Sequence, residues 1–167
     1  MFRISAYVAA LAVLGACGFQ PIYGSRGTPG TQIEMASIEV GIIKDRHGQQ
    51  LRNLLLDRIN PGGAPQSPNY TLTVVLTSGK EFLAFRKSQI STRANLNFVA
   101  VFNLKGKNQY SGENFSGTSK ITVSYNILSS HFATLTAEEN ARTRAVKELS
   151  TDISNRIAAF IRRSQVS

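Results

Sequence analysis

The chain has one cysteine, two histidines, and only 10 acidic against 19 basic side chains. A single Cys needs no disulfide partner, and no group of His, Cys and carboxylate residues has the spacing of metal ligands. The short motifs of α/β-hydrolases, zinc proteases and phosphate-binding loops are also absent. No apolar run reaches the ~20 residues of a transmembrane helix. We therefore predict no metal, no cofactor and no membrane span, while a catalytic site assembled from residues distant in sequence stays open.

Size and charge indicate one basic globular domain. The chain has 167 residues, of which 42% are hydrophobic and 17% are charged, a balance typical of folded rather than disordered chains. The net charge of +9 suits an anionic partner, which composition alone leaves open among nucleic acid, anionic lipid and an acidic protein surface.

The first seventeen residues have the pattern of an export signal. Arg3 gives a positive start, residues 4–16 carry no charge, and small residues precede Cys17. The sequence Leu14-Gly15-Ala16-Cys17 resembles the bacterial lipobox, which implies cleavage after residue 16 and acylation of Cys17. The alternative is a small, buried free cysteine. We predict that residues 1–16 are removed and that Cys17 carries the membrane anchor.

The mature chain divides into a tether and a domain. Residues 24–31 are small and turn-forming, so residues 17–31 are predicted to be a lipidated amino terminus with a flexible tether. Residues 32–163 form the predicted domain. Gly18, not Asp, follows Cys17, and the lipobox resemblance then implies sorting to the outer membrane.

The first half of the domain is predicted to contain a strand and a helix. Partial alternation of apolar residues indicates a strand within Ile33–Ile43. An apolar face at helical spacing follows and ends at the sequence Asn60-Pro61-Gly62-Gly63. That face consists of Leu51, Leu54, Leu55 and Ile59.

Three alternating segments come next and predict half-buried strands. They are Tyr70–Leu76, Leu96–Leu104 and Ile121–Ile127. Gly106-Lys107-Asn108 turns the chain after the second of them, and residues from Gln109 onwards are predicted to return as a neighbouring strand whose alternating end is Ile121–Ile127. Short turns between strands favour an antiparallel meander.

A long amphipathic helix is predicted to end the chain. Thr136 and Glu139 have capping-box spacing. The apolar stripe that follows either packs on the sheet, as we expect, or lies on a membrane. Its members are Ala141, Ala145, Val146, Leu149, Ile153, Ile157, Phe160 and Ile161. The predicted fold is α+β: a mostly antiparallel β-sheet with two α-helices packed on one face, and a Thr-, Asn- and Ser-rich opposite face.

Basic residues cluster around the turn between the second and third strands: Lys80, Arg86, Lys87 and Arg93. Phe82 and Phe85 lie among them. Such a run is either a solvated loop or a site that holds phosphate with its cations and acyl groups with its aromatic rings. We do not expect a nucleic-acid partner, because an exported lipoprotein rarely meets one.

Two histidines remain to be placed. His47 lies at the start of the first predicted helix, and His131 follows Ser129 and Ser130 in a connection. We expect both to be surface residues. A small lipid-anchored hydrolase that uses His131 is an alternative, because catalytic triads are spatial rather than sequential.

The sequence Cys17-Gly18-Phe19-Gln20-Pro21-Ile22-Tyr23-Gly24 resembles the opening of the lipopolysaccharide-assembly lipoproteins, with Ile22 where Leu is common. Leu51-Arg52-Asn53-Leu54 and the order of elements agree with that family. The resemblance implies a non-catalytic outer-membrane lipoprotein that faces the periplasm and sits as a plug inside the lipopolysaccharide-transport β-barrel. It would help that barrel to assemble and assist delivery of lipopolysaccharide to the outer leaflet.

The resemblance also implies that basic residues contact lipopolysaccharide. Charge and position in the hairpin make Arg86, Lys87 and Arg93 the best candidates, with Lys80 behind them. The main alternative is a periplasm-facing lipoprotein that assembles another envelope complex.

Overall fold

The computed structural model describes residues 29–83 and 93–164, and these have the predicted α+β fold. The predicted signal and Cys17 lie outside the described residues. Within the described residues, no helix has the length and apolar character that crossing a membrane requires. The elements in chain order are α1 (Pro29–Ala36), β1 (Ile38–Val40), α2 (Arg46–Ile59), β2 (Tyr70–Leu83), β3 (Arg93–Gly106), a 3₁₀ turn (Asn108–Tyr110), β4 (Asn114–Asn126) and α3 (His131–Ser164).

The sheet has four strands in the order β1-β2-β3-β4. Strands β2, β3 and β4 form the predicted antiparallel meander, in which Leu83 pairs with Arg93 and Arg93 with Asn126. Strand β1 pairs with β2 in parallel. A parallel pair needs a crossover connection, and α2 lies in that connection.

Alternation along the strands places the core on one face of the sheet. In β3 the buried positions alternate with exposed or half-buried ones, so one face packs under the helices and the other does not. The large buried side chains of the sheet include Tyr70, Leu72, Leu96, Phe98, Phe102 and Leu104. The predicted face of α2 is buried at Leu51, Leu55 and Ile59, and the stripe of α3 is buried from Ala141 to Ile161. The stripe of α3 is therefore core packing.

The first predicted strand was only partly correct. Residues 33–36 belong to the helix α1, and the strand is confined to Ile38–Val40. The helix forms because it packs against α3 and buries Met35 in the core, which overrides a weak alternation signal. Helix α1 begins at Pro29, a residue suited to a first helical turn, so it starts inside the predicted tether.

The predicted cap of the last helix was wrong. Helix α3 begins at His131, and Thr136 lies within it, where its hydroxyl donates to the Phe132 carbonyl at 3.1 Å. The Ser130 hydroxyl accepts from the Ala133 backbone N–H at 3.3 Å. Ser130 therefore caps the helix, one turn and a half before the residue that the capping-box pattern indicated.

The uncovered face of the sheet is polar, as predicted. Side-chain hydrogen bonds cross it between neighbouring strands, from Thr122 to Asn97 at 2.8 Å and from Ser124 to Asn95 at 2.7 Å. Val75 and Val101 pair in register on this face and are 59% and 51% exposed. The face is thus a polar surface with one small apolar centre.

Candidate functional site

The β2–β3 ribbon and the first turns of α3 extend beyond the buried core at the same end of the molecule. Every residue of β2 from Thr77 to Phe82 is exposed, and residues 131–140 of α3 include no buried residue. We call this region, comprising Ser78–Leu83, Arg93, Tyr125 and residues 128–142, the hairpin end. An ion pair between Lys80 and Glu138 joins its two parts.

Lys80 lies within β2 rather than in the predicted turn, because the strand continues to Leu83. Its register partner is the buried Leu96, so its side chain is on the face that carries α3. The Lys80 Nζ atom lies 2.6 Å from Oε2 of Glu138. It also lies 5.0 Å and 5.4 Å from the ring centroids of Phe82 and Tyr125, where the aromatic faces stabilise a cation.

Glu138 is the centre of this cluster. Its Oε2 accepts from the Tyr125 hydroxyl at 2.8 Å, and its Oε1 accepts from the Arg142 guanidinium at 2.5 Å. Burial by itself would raise the pKa of the carboxyl. Hydrogen bonds from Lys80, Arg142 and Tyr125 outweigh burial and lower the pKa of Glu138 to about 2.

The same contacts change the proton affinity of the neighbours. The hydrogen bond to Glu138 raises the pKa of Lys80 above its ordinary value. Burial, with the nearby Glu138 carboxylate, raises the pKa of Tyr125. Lys80 therefore keeps its positive charge and Tyr125 is a neutral hydrogen-bond donor. Together with the Arg142 guanidinium they place N–H and O–H groups around one acceptor.

The elements that carry the cluster also carry exposed apolar side chains. Phe82 is 60% exposed, and Phe132 and Leu135, three residues apart on α3, are 79% and 52% exposed. Leu128, 48% exposed, precedes the helix, and its backbone N–H donates to the Thr134 hydroxyl at 2.9 Å. Leu135 lies one helical turn before Glu138. The hairpin end thus combines cations with uncovered apolar surface, which suits an anionic amphiphile.

The structure separates two of the predicted basic residues. Arg93 opens β3 beside the buried Ala94, and alternation therefore places Arg93 on the face of the sheet opposite the core. Lys80 and Arg93 are thus on opposite faces of one ribbon. Arg86 and Lys87 lie outside the described residues.

Sequence reasoning missed Glu138, Arg142 and Tyr125 as parts of this region. One local signal was available, because Glu138 and Arg142 have the i, i+4 spacing of a helical ion pair and do form one. Nothing in the sequence placed Lys80 beside them.

The two histidines differ in their surroundings. His131 is exposed at the first position of α3, and the neighbouring Ser130 hydroxyl serves the helix cap. His47, predicted at the surface, is half-buried: its side chain is 22% exposed and its ring meets the edge of Phe98, with centroids 6.3 Å apart. Among the residues in 29–83 and 93–164, no three His, Cys, Asp or Glu side chains come together as metal ligands.

One family model matches most of the chain. The family model described as lipopolysaccharide-assembly, LptE, matches residues 35–157. No curated protein sequence matches the chain.

Three solved structures share the fold. A protein of Caulobacter crescentus CB15 assigned as a lipoprotein has a TM-score of 0.62 and 21% identity, over 81% of this chain and 97% of that one. The rare lipoprotein B of Shewanella oneidensis has a TM-score of 0.56 and 15% identity, over 77% and 96%. A minor lipoprotein of Acinetobacter baumannii has a TM-score of 0.51 and 16% identity, over 73% and 91%.

Proposed function

This chain belongs to the lipopolysaccharide-assembly family LptE, and from that premise we propose that it is an outer-membrane lipoprotein of the lipopolysaccharide-transport β-barrel. In this role it plugs the barrel, helps it to assemble and assists delivery of lipopolysaccharide to the outer leaflet. The match over residues 35–157 is the observation that carries the proposal. The role needs binding surfaces and no catalytic residue.

The proposed anchor is the acylated Cys17, at the end of a lipobox-like sequence. A single acyl chain binds membranes reversibly, whereas two or more anchor a protein stably. The three similar structures come from proteins described as lipoproteins, which supports the same placement in the envelope. Gly18 favours the outer membrane, with the domain on the periplasmic side and inside its partner.

The uncovered sheet face supports the proposed position inside a barrel. Barrel interiors are polar, and this face carries Asn, Ser and Thr side chains that hydrogen-bond across the strands. The polar inner wall of a barrel needs hydrogen-bonding groups on the surface that faces it, and these side chains supply them. Val75 and Val101 add a small apolar contact at the centre of the same sheet face.

The hairpin end supports contact with lipopolysaccharide. Lipopolysaccharide combines clustered phosphates with acyl chains, and this end combines the cations of Lys80 and Arg142 with the exposed rings of Phe82 and Phe132. Arg93 adds a cation on the other face of the ribbon. We propose Lys80, Arg86, Lys87 and Arg93 as lipopolysaccharide-binding residues, with Arg142 beside Lys80.

Depletion of the protein in its own cells tests this function. We expect newly made lipopolysaccharide to stop reaching the cell surface and the barrel to lose its assembled form, and both to be restored by the wild-type chain. A Cys17→Ala chain, which cannot be acylated, should restore less. Normal surface lipopolysaccharide and a normally assembled barrel in depleted cells would contradict the proposal and favour an assembly role in another envelope complex.

A further inference from the structure

We propose that Glu138 is a built-in competitor for the anionic ligand of the hairpin end: its carboxylate occupies the position between Lys80 and Arg142 that a phosphate group of lipopolysaccharide takes on binding. The inference rests on the proposed function and adds to it the residue that sets how tightly the site holds phosphate.

Three donors from three different elements converge on this one carboxylate. Lys80 comes from β2, Tyr125 from β4 and Arg142 from α3, with donor–acceptor distances of 2.6, 2.8 and 2.5 Å. A phosphate group has more acceptor oxygens and a larger negative charge than a carboxylate, and it accepts from Lys, Arg and a hydroxyl together. The donors around Glu138 are therefore of the types that bind a phosphate group.

The carboxylate can leave without opening the core. The side chains of Lys80 and Arg142 are 33% and 21% exposed, and that of Glu138 is 15% exposed. Glu138 lies in the part of α3 that precedes the first buried residue, Ala141. A change of side-chain rotamer there moves Glu138 towards solvent while the buried stripe of the helix stays in place.

The surroundings select an acylated phosphate over a free one. The ring of Phe82, which Lys80 overlies, is 60% exposed, and Leu135, one turn before Glu138, is 52% exposed. Acyl chains that cover these side chains remove apolar surface from water, at roughly 25 cal/mol per Å². Inorganic phosphate gains nothing from this surface and is expected to bind far more weakly.

The neighbouring Glu139 provides a matched control. It pairs with Arg46 at 3.5 Å and lies 3.8 Å from His47, on α2 rather than on the ribbon. Glu138→Gln and Glu139→Gln change the net charge equally and at adjacent positions. Only Glu138→Gln releases Lys80 and Arg142. If the added positive charge alone strengthens binding, both variants gain equally; if the released cations do so, only Glu138→Gln gains.

The test uses the native lipidated protein in mild detergent, titrated with fluorescent lipopolysaccharide and with the same ligand stripped of its phosphates. We expect Glu138→Gln to bind lipopolysaccharide roughly three- to tenfold more tightly than wild type, corresponding to at most about 1.4 kcal/mol. Glu139→Gln should stay within about twofold of wild type. The gain should vanish with the dephosphorylated ligand and in Lys80→Gln/Glu138→Gln.

Glu138→Asp, which keeps the charge and withdraws the carboxylate by one methylene, should show a smaller gain and serves if Glu138→Gln does not fold. Unchanged or weaker binding in folded Glu138 variants overturns the inference, as does an equal gain in Glu139→Gln. If the wild-type protein binds lipopolysaccharide and the Glu138 variants bind it equally well, the inference is overturned and the proposed function is not. A wild-type protein that binds no lipopolysaccharide, in cells whose depletion leaves transport normal, overturns the proposed function as well.

Discussion

The Lys80 ammonium and the Glu138 carboxylate are 58 positions apart in sequence and 2.6 Å apart in space. One belongs to the sheet and the other to the helix that covers it. Their contact fixes the projecting ribbon against the start of α3, at the end of the molecule where few residues are buried. This pair therefore links the stability of the hairpin end to its charge.

The first prediction concerns acid. The pKa of Glu138, about 2, lies below its ordinary value of 4.5, so the carboxylate stabilises the folded chain fully above pH 4.5 and loses this effect as the pH falls towards 2. Glu138→Gln should lower the free energy of unfolding by about 1–3 kcal/mol near neutral pH. The difference from wild type should shrink steadily as urea unfolding is repeated at lower pH.

Glu139→Gln is the control for that series. Glu139 is 45% exposed on its side chain and forms longer contacts, so its replacement should cost less than about 1 kcal/mol at every pH. An effect of Glu138→Gln that did not depend on pH would show that the ion pairs do not stabilise the fold.

The second prediction concerns Gly106, at the end of β3. A Cβ atom built there would lie 1.8 Å from the Tyr110 carbonyl oxygen, and the 3₁₀ turn of residues 108–110 cannot move away without losing its hydrogen bonds. Gly106→Ala should therefore lower the free energy of unfolding by about 2 kcal/mol or more. At Gly79 an added Cβ atom would meet only open space, so Gly79→Ala should leave the free energy of unfolding nearly unchanged when both variants are unfolded in urea.

The third prediction tests the position of the core. Ile153 is fully buried on α3, and Ile153→Asp would place an unpaired charge there, which should prevent cooperative folding. Ala159→Asp introduces the same residue at an exposed position of the same helix and should remain folded. Circular dichroism during thermal unfolding distinguishes the two. A soluble, cooperatively folded Ile153→Asp protein would show that the core is misplaced.

The fourth prediction concerns the proposed lipopolysaccharide contacts at the ribbon. Arg86→Asp with Arg93→Asp should weaken binding of lipopolysaccharide by about tenfold or more and leave the fold intact, because two cations become anions near the phosphates. The control is Arg162→Asp with Arg163→Asp, an equal change of charge at exposed positions in the last turn of α3. Equal binding by the two double variants would make the ribbon cluster an ordinary solvated surface.

Sequence reasoning succeeded where periodicity was long. The stripe of α3 repeats from Ala141 to Ile161, and all of its members are buried except Phe160, which is half-buried. The alternation of apolar residues in β3 likewise predicted both the strand and the face of it that lies in the core. Patterns of this length are hard to satisfy with any other structure.

Short and long-range features could not be derived in this way. Strand β1 has three residues, too few for alternation to distinguish it from the helix before it. The site depends on a contact between residues of β2 and α3 that no local pattern reports. The charge of Lys80 was enough to make it a candidate. Its partner Glu138 could not be identified without knowing how the helix packs on the sheet.

Mass analysis of the native protein, purified from membranes in mild detergent together with its partner, tests the central claim most directly. We expect a chain that begins at Cys17, carries acyl groups on that residue, and co-purifies with a large β-barrel protein. A native chain that retains residues 1–16, lacks acyl groups and brings no barrel with it would contradict both the location and the role proposed here.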